Sequence, residues 1–553
     1  MADLENTPAS GDEIVEPTEP TQPTQQTEQT QPEVPVEPTE SEAPATEQPD
    51  AEPASASRGS GRGRTITVVS LRVVRGLVGI AAAAVVIGAV GLVPLPTVGI
   101  EPLGVTVEPD PADLLELCTG SLLRLGDDSG ANAGQAFAVG TPTVTSQALG
   151  GTATATPLAL SDAGTGGTEQ APSVLGLAAG PDAALAGAQS QVVIGEGGLA
   201  GLSASTCAEP TSSTWLVGGA ATVGRTTMLL IANPTAVVAD VTILMWGESG
   251  AVSAPGMAIQ VKPGEQRVLP ISGFAPGIVS PVVHVEARGG QVVAALQTSV
   301  IRVLDPGGVD LIAAGASPST DSVVPAVRIY DERGVSSSLG LPDREDLEAI
   351  ARVGNPGDTD ATVEVSLLPA DASGTATSFD IDVPAGTVTD IPLSSAQELG
   401  SVPFADGSYS VVFTSEVPVV AAVRASTTPD LPPSSSGEPQ PGPVDVAWFT
   451  SSPALRGDTL VAVAEASRPV LVAMNPDNVE RTVVLEPVGG GEPLQLVLPP
   501  ARPAAIPLTG GAGYLLRDVE GVHVGLTFAT AGRLAGYTVR STREADSAIV
   551  IRP

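Results

Sequence analysis

The two cysteines are the side chains of this sequence best suited to covalent chemistry. Cys118 and Cys207 are the whole cysteine content of 553 residues. Both follow a long apolar segment, interpreted below as a membrane anchor, which places them in an oxidising compartment where two lone cysteines usually pair. The predicted disulfide closes a loop of about 90 residues and stabilises the fold by about 4 kcal/mol in the chain-entropy model. The alternative, a reactive thiol, is disfavoured because neither cysteine has a histidine nearby in the sequence.

The two histidines are the next candidates, as metal ligands or general bases. His284 lies in VVHVEARG and His523 in GVHVGLTF, and they precede Val293 and Leu534 by nine and eleven residues. This spacing predicts equivalent strand positions in two different repeats. We therefore expect no metal site shared by the two histidines.

Three short groups of carboxylates are candidate calcium ligands. Calcium needs several converging oxygens, and the sequence contains no D-x-D-x-D-G loop. A solvated acidic face is the favoured interpretation, and we expect neither a metal nor a cofactor. The groups are Asp358 with Asp360, Asp380 with Asp382, and Asp343 with Glu345 and Asp346.

Catalytic motifs are scarce. Asp127-Asp128-Ser129-Gly130 is similar to a serine-protease nucleophile motif, but the matching histidine and aspartate partners are missing. No G-x-S-x-G, Walker A or H-E-x-x-H motif is present, and no G-x-G-x-x-G occurs in a strand-to-helix context. The sequence therefore favours a protein that is not an enzyme.

The composition indicates a strongly acidic, strand-rich chain. Its 62 acidic residues, 25 lysines and arginines and 2 histidines give a formal net charge of -37, so nucleic acid is a poor partner. Glycine (62) and proline (52) make up about a fifth of the chain, while aromatic residues are 3%. Such a composition favours short strands joined by turns, with disordered segments beside them.

The first 75 residues are predicted to form a disordered, acidic cytoplasmic tail. Residues 1–57 contain no lysine or arginine and are rich in proline, threonine and glutamine, so they have little apolar surface to bury. Between Arg58 and Arg75 the charge reverses and five arginines form a basic collar.

Residues 76–100 are uncharged and are predicted to be a transmembrane signal anchor. The 19 residues from Leu77 to Leu95, at about 1.5 Å per residue, span roughly the 30 Å of a bilayer core. The arginine collar places the N-terminus in the cytoplasm and the C-terminal region outside the cell, as in a single-pass membrane protein. The alternatives are a cleaved signal peptide, disfavoured by the long preceding tail, and a buried soluble helix.

An Asn-Pro dipeptide recurs three times after a short apolar run, at intervals of 122 and 120 residues. Proline sets φ and asparagine bonds the nearby backbone, so each copy predicts a turn. The following residues 363–367 alternate between apolar and polar, as in a strand with one buried face. The repeat turn motif consists of Asn233-Pro234, Asn355-Pro356 and Asn475-Pro476.

Two further signatures follow each copy. The first is an apolar-Pro-apolar strand end, at residues 269–271, 391–393 and 506–508. The second is a final strand, at Val293–Leu296, Val420–Val423 and Leu534–Tyr537, with a related stretch at Leu199–Leu202. Trp215, Leu311 and Trp448 come shortly after these strands, and we expect them to begin the next unit.

These patterns predict an all-β fold of tandem immunoglobulin-like antiparallel β-sandwich domains, following the single N-terminal transmembrane helix and the disordered tail. The predicted domains are a divergent first extracellular β-domain with Gly/Ala-rich loops at 101–210 and β-sandwich repeats at 211–305, 306–440 and 441–553.

The anchor, the Cys118 and Cys207 pair and the recurring NP, PG or PAG, and PVVAA elements carry a resemblance. They resemble an uncharacterised family of large secreted or membrane-anchored actinobacterial proteins, defined only as a domain of unknown function. The resemblance covers about residues 101–553. It implies a cell-envelope setting and brings no catalytic residues.

The predicted function is a non-catalytic, membrane-anchored extracellular scaffold or interaction protein of the bacterial cell envelope. Envelope proteins are the expected partners, cell-wall glycan is a further one, and one helix contacts the membrane. The alternatives are a cell-wall polysaccharide-binding protein and an accessory component of an envelope glycan-processing enzyme. Glycan binders normally present aromatic platforms, and this sequence has only three tryptophans.

Overall fold

The computed structural model describes residues 105–107, 112–126, 135–160, 171–180, 182–371, 374–394, 405–432, 435, 442–541 and 549–551. The predicted tail at 1–75 and the predicted anchor at 76–100 lie outside these ranges. No helix within them is long and apolar enough to span a membrane. The described residues after position 100 form one compact unit.

The fold is all-β, with antiparallel sheets packed face to face, as the sequence predicts. The N-terminal part contains three small sheets, with strand orders β10-β9-β5, β2-β8-β6 and β3-β4. Its strands are β1 (Val105–Val107), β2 (Leu114–Cys118), β3 (Leu122–Leu125), β4 (Ala136–Val139), β5 (Thr143–Leu149), β6 (Thr154–Pro157), β7 (Ala159–Leu160), β8 (Ser173–Leu177), β9 (Ala184–Ile194) and β10 (Ala200–Thr206).

Repeat 1 follows as two facing sheets, β11-β17-β13 with β14 and β15 beside β13, and β19-β18-β12-β16, to which β7 adds a parallel edge strand. Its strands are β11 (Ser213–Val217), β12 (Arg225–Asn233), β13 (Ala239–Gly247), β14 (Gly250–Ala251), β15 (Ala258–Val261), β16 (Glu265–Pro270), β17 (Val282–Gly289), β18 (Val293–Arg302) and β19 (Asp305–Ile312).

Repeat 2 has the same arrangement, except that one long strand takes part in both sheets. This strand, β25, pairs with β20 and β22 through its first half and with β21 and β26 through its second half. The strands are β20 (Ser319–Ile329), β21 (Ile350–Gly354), β22 (Ala361–Pro369), β23 (Thr377–Val383), β24 (Val388–Pro392), β25 (Gly407–Thr427) and β26 (Asp445–Thr450).

Repeat 3 consists of the sheets β27-β32-β29-β30 and β31-β28-β33-β34. After it, β35 (Ile549–Ile551) pairs with β1. The strands of repeat 3 are β27 (Thr459–Ala462), β28 (Pro469–Met474), β29 (Arg481–Pro487), β30 (Leu494–Leu498), β31 (Pro503–Pro507), β32 (Gly513–Arg517), β33 (His523–Thr530) and β34 (Arg533–Thr538).

Helical structure is sparse in the described residues. They contain one α-helix, α1 (Glu332–Ser338). Three-residue 3-10 turns lie at Glu196–Gly198, Ile271–Gly273 and Glu345–Leu347. The α1 sequence has no apolar periodicity, and this helix was not predicted.

In strands whose apolar and polar residues alternate, one face packs into a core and the other is exposed. In β13, Val241, Ile243 and Met245 are buried while Thr242 and Leu244 are exposed. Period-two alternation places every second side chain on one sheet face, so the other face can meet solvent. β22 follows the same pattern. This part of the repeat could therefore be predicted from the sequence.

Other strands are buried on both faces because the repeats share cores. The core cluster of repeat 1 also contains Ile350, Val420 and Trp448 from repeat 2. That of repeat 3 contains Leu202 and Ala204 from the N-terminal part. The sandwiches are therefore not separated by exposed linkers, and burial between them supplies apolar area that a core poor in aromatic residues lacks.

The structure corrects the predicted alignment of the final strands. Residues 293–296 and 420–423 lie in β18 and β25, which pair with the Asn-Pro strands β12 and β21. In repeat 3 the strand paired with the Asn-Pro strand β28 is β33, which begins at His523, whereas residues 534–537 lie in the next strand, β34. The sequence alignment matched β34 instead of β33 because the two adjacent strands have similar apolar sequences.

The same correction applies to the residues expected to begin new units. Leu311 and Trp448 do occupy matching places, but in β19 and β26, the last strands of repeats 1 and 2. Trp215 lies in β11, the first strand of repeat 1. His284 lies in β17, which pairs with β13, whereas His523 lies in β33, which pairs with the Asn-Pro strand β28, so the two histidines are likewise not equivalent.

Candidate functional site

Each Asn-Pro motif is a buried side-chain network. Asn233 ends β12, and its Nδ2 donates to the carbonyls of Val237 (2.7 Å) and Val261 (2.9 Å), while its Oδ1 accepts from the backbone N–H of Thr235 (2.9 Å). Because Val261 belongs to β15 in the facing sheet, the amide joins the two sheets as well as holding the turn.

The network recurs with the same polarity in the other repeats. Asn355 donates to Thr359 O (2.8 Å) and Val383 O (3.2 Å) and accepts from Gly357 N (3.1 Å). Asn475 donates to Val479 O (2.8 Å) and Pro499 O (3.1 Å) and accepts from Asp477 N (3.1 Å). An amide supplies donors and an acceptor together, which makes asparagine suited to this position.

Cys118 and Cys207 form a disulfide bond, as the sequence predicts. Both are buried with Leu175, Leu177 and Leu185 in a small core of the N-terminal part. The bond joins the end of β2 to the residue after β10. It therefore connects two of the small sheets of this part.

A single buried carboxylate connects all four β parts of the molecule. Asp445, at the start of β26, accepts backbone N–H groups from Leu202 (2.8 Å) of the N-terminal part, Val309 (3.3 Å) of repeat 1 and Leu534 (2.9 Å) of repeat 3. Val446 N, in its own strand, is 3.0 Å away. We call this the Asp445 junction.

A second buried carboxylate lies beside it. Asp310 in β19 accepts Trp448 N (2.7 Å) and Leu311 N (2.9 Å). Burial raises the pKa of Asp445 to about 8, although its four N–H donors act in the opposite direction. Burial also raises the pKa of Asp310 well above its usual value, with a further contribution from Asp445. The pair is a candidate proton-binding centre.

A buried arginine joins repeats 1 and 2. Arg352 pairs with Asp390 through two contacts of 2.7 and 2.8 Å, and donates to carbonyls of repeat 1, including Gly219 O at 2.8 Å. Its guanidinium also lies over the Trp448 ring, 4.4 Å from the centroid. Burial would raise the pKa of Asp390, but the charge and hydrogen bonds of Arg352 hold it below its usual value. The arrangement is structural because every branch of the guanidinium is engaged.

The structure brings the sequence candidate His284 together with a serine and a glutamate that sequence reasoning missed. Ser213 Oγ is 2.8 Å from His284 Nε2, and His284 Nδ1 is 3.7 Å from Glu286 Oε1. The imidazole stacks on Trp215 with ring centroids 4.1 Å apart. Burial lowers the pKa of His284, so the ring is neutral at pH 7. Period-two spacing of His284 and Glu286 was the available signal, but the serine strand is 71 residues away.

This trio has part of the geometry of an activated nucleophile. A serine hydroxyl beside a neutral imidazole is suited to proton abstraction. The Nδ1 to carboxylate distance of 3.7 Å is longer than a hydrogen bond, and all three side chains project from one sheet face. Ser213 is exposed and the Glu286 side chain is 42% exposed. We interpret the trio as a polar contact at the edge of the core that orients the Trp215 stack.

The remaining sequence candidates stay apart. His523 Nδ1 lies 2.9 Å from Ser452 O, and burial lowers its pKa. Asp360 and Asp382 bond Ala385 N and Thr362 Oγ1. In the parts of the chain that the structure describes, no group of three His, Cys, Asp or Glu side chains is arranged to hold a metal. The serine motif at 127–130 lies outside the described residues.

The fold and these contacts define a multi-part, disulfide-containing all-β protein whose buried polar groups join its sandwiches. The chain belongs to a family of unknown function (DUF5719), whose model matches residues 163–495, more than half of the sequence. No curated protein matches it. A solved structure, "Crystal Structure of Thermotoga maritima 1070", is similar at 16% identity over 25% of this chain and 93% of that chain, with a TM-score of 0.17.

Proposed function

We propose that the chain is a non-catalytic, membrane-anchored scaffold or interaction protein on the extracellular side of a bacterial cell envelope. The proposal includes the single-pass topology, the immunoglobulin-like character of the repeats and the setting in a large secreted or anchored actinobacterial protein. The disulfide supports it, since such bonds persist in oxidising compartments.

The observation that carries the proposal is an exposed aliphatic patch at one end of repeat 1. Val223 is 97% exposed, and the neighbouring hairpin between β18 and β19 presents Ile301, Val303 and Leu304, with Leu304 87% exposed. A hydrogen bond from Ile301 N to Gly224 O (2.8 Å) joins the two turns. We call these four residues the aliphatic patch. Grouped exposed aliphatic side chains mark sites of contact with other proteins.

Protein contact is preferred to glycan binding because the tryptophans are not presented as platforms. Trp215 and Trp448 are 8% and 3% exposed, and Trp215 is covered by the His284 and Trp246 rings. Sugar recognition through stacking needs an open aromatic face. Wall polysaccharide binding is therefore the second candidate.

The test is crosslinking in living cells with a photoreactive residue at Leu304, followed by identification of the captured envelope proteins. A discrete adduct is expected, and Val223→Glu should abolish it. Val479→Glu is the matched control, because Val479 is an exposed valine (62%) on a loop of repeat 3. Absence of an adduct at Leu304, or loss of the adduct with Val479→Glu as well, would contradict the proposal; saturable binding to purified wall polysaccharide would favour the second candidate.

A further inference from the structure

A cavity of about 150 Å³ lies where the N-terminal part meets repeats 1 and 3. Its walls combine small apolar residues, among them Ala186, Ala294 and Val461, with carboxylates and hydroxyls. The disulfide residue Cys207 also lines it. The cavity is separate from the aliphatic patch and from the Asp445 junction.

Glu116 is the unusual side chain of this cavity. It lies in β2, is 5% exposed, and its Oε2 has no hydrogen-bond partner among the described residues. Thr538, which also lines the cavity, has a buried oxygen, Oγ1, without a partner among them. A buried acceptor left without a donor destabilises a fold, so a donor from a bound molecule is the natural complement.

The ionisable residues that line the cavity are Glu116, Glu209, Tyr537 and Arg540. Arg540 donates to the carbonyls of Ala314 (2.8 Å) and Gly315 (2.6 Å), and the Tyr537 hydroxyl donates to Ala462 O (2.8 Å).

The charged form of Glu116 is disfavoured in this cavity. Burial raises the pKa of Glu116 well above its usual value, the Glu209 charge adds to this, and a backbone hydrogen bond with Gly187 opposes it. A cation in the cavity would compensate for the lost hydration of the Glu116 carboxylate and offset its repulsion by Glu209.

We propose that this cavity binds a small organic ammonium ion, with Glu116 as the carboxylate that receives it. An ammonium group has three N–H donors and no acceptor, which matches the unpartnered oxygens of Glu116 and Thr538. The apolar wall residues suit a short carbon chain attached to the nitrogen. The volume admits only a small molecule, since a single bound water needs roughly 10–15 Å³.

Isothermal titration calorimetry of the full chain in detergent tests the proposal, with ethanolammonium chloride as the probe and ethylene glycol as its uncharged counterpart. We expect saturable binding of ethanolammonium and none of ethylene glycol. Glu116→Gln should weaken binding at least about tenfold, in keeping with a charge-assisted hydrogen bond. Glu480→Gln, which changes an exposed glutamate, should leave the affinity unchanged.

Proton release on binding provides a second readout. Because the cation replaces a proton on Glu116, the wild-type affinity should rise as the pH is raised from about 6 to 8, and that rise should be absent in Glu116→Gln. If Glu116→Gln does not fold, as judged by near-UV circular dichroism, Thr538→Val should still weaken binding several-fold. Absence of binding to the wild type, equal binding of ethylene glycol, or a pH-independent affinity would overturn the proposal.

Discussion

The Asn-Pro networks and the Asp445 junction both satisfy buried backbone groups with one side chain, but with partners at different distances along the chain. Asn475 bonds backbone groups at most 24 residues away. Three of the four donors to Asp445 are 89, 136 and 243 residues away. A local network can recur in every repeat, whereas a junction among four parts is built once.

The difference has energetic consequences. Loss of one Asn-Pro network leaves the other two intact and disturbs one turn. Loss of Asp445 leaves N–H groups of three other strands without an acceptor in a dry interior, where each costs about 1–3 kcal/mol. We therefore expect damage at the junction to spread through the molecule, and damage at an Asn-Pro turn to stay within one repeat.

The largest expected effect is that of Asp445→Ala. Four N–H groups lose their acceptor, so the free energy of unfolding should fall by at least about 4 kcal/mol. Urea unfolding followed by circular dichroism measures it. Asp358→Ala, at an exposed aspartate in the Asn-Pro loop of repeat 2, is the control and should change stability by less than about 0.5 kcal/mol. Equal effects would remove the distinction between the two regions.

The substitution Gly201→Ala tests the contact of the N-terminal part with the Asp445 junction. An added Cβ would lie 2.3 Å from Asp445 Oδ1, at a residue whose φ is +145°. Strain and displacement of the carboxylate should destabilise the protein by about 2–3 kcal/mol. Gly273→Ala, where a Cβ meets nothing within 4 Å, is the comparison. A thermal midpoint as high for Gly201→Ala as for Gly273→Ala would show that the strands do not converge as described.

Asn475→Ala removes an Asn-Pro network and should cost about 1–2 kcal/mol. Its effect should be local, with faster amide exchange at Asp477, whose N–H donates to Asn475 Oδ1, and around Val479, and with unchanged exchange in repeats 1 and 2. Asn478→Ala, at an exposed asparagine of the same loop, should leave exchange unaltered. Hydrogen exchange with mass spectrometry resolves the two cases, and a change reaching repeat 1 would contradict the local character of the network.

Counted per pH unit, the smallest effect is a pH dependence of stability that arises from the junction. The pKa of Asp445 is about 8 in the folded protein against an ordinary value of 3.8, so the folded state binds the proton more tightly. Its contribution is fully present below about pH 4 and is lost as the pH rises towards 8, by about 1.4 kcal/mol per unit. Comparison of wild type with Asp445→Asn in urea melts between about pH 6 and 8 checks this; parallel slopes would count against it.

Local patterns were sufficient for several features. The alternation in β13 and β22, the three Asn-Pro turns and the pairing of Cys118 with Cys207 were legible because each depends on short spacing or on residue count. The alignment of His523 with His284 was wrong, because β33 and β34 have similar apolar sequences and only pairing with β28 distinguishes them. The aliphatic patch was missed because Val223 and Leu304 look like ordinary strand residues.

The sequence by itself therefore determined the all-β class, the recurring turn and the disulfide partners, since steric preferences of proline, hydrogen bonding by asparagine and strand periodicity act over a few residues. Only the tertiary structure decided that Asp445 collects N–H groups from four parts, that Arg352 lies over Trp448, and that Glu116 lines a cavity. Those contacts join strands far apart in the chain, and no local preference of an aspartate, arginine or glutamate specifies which distant backbone group it will meet.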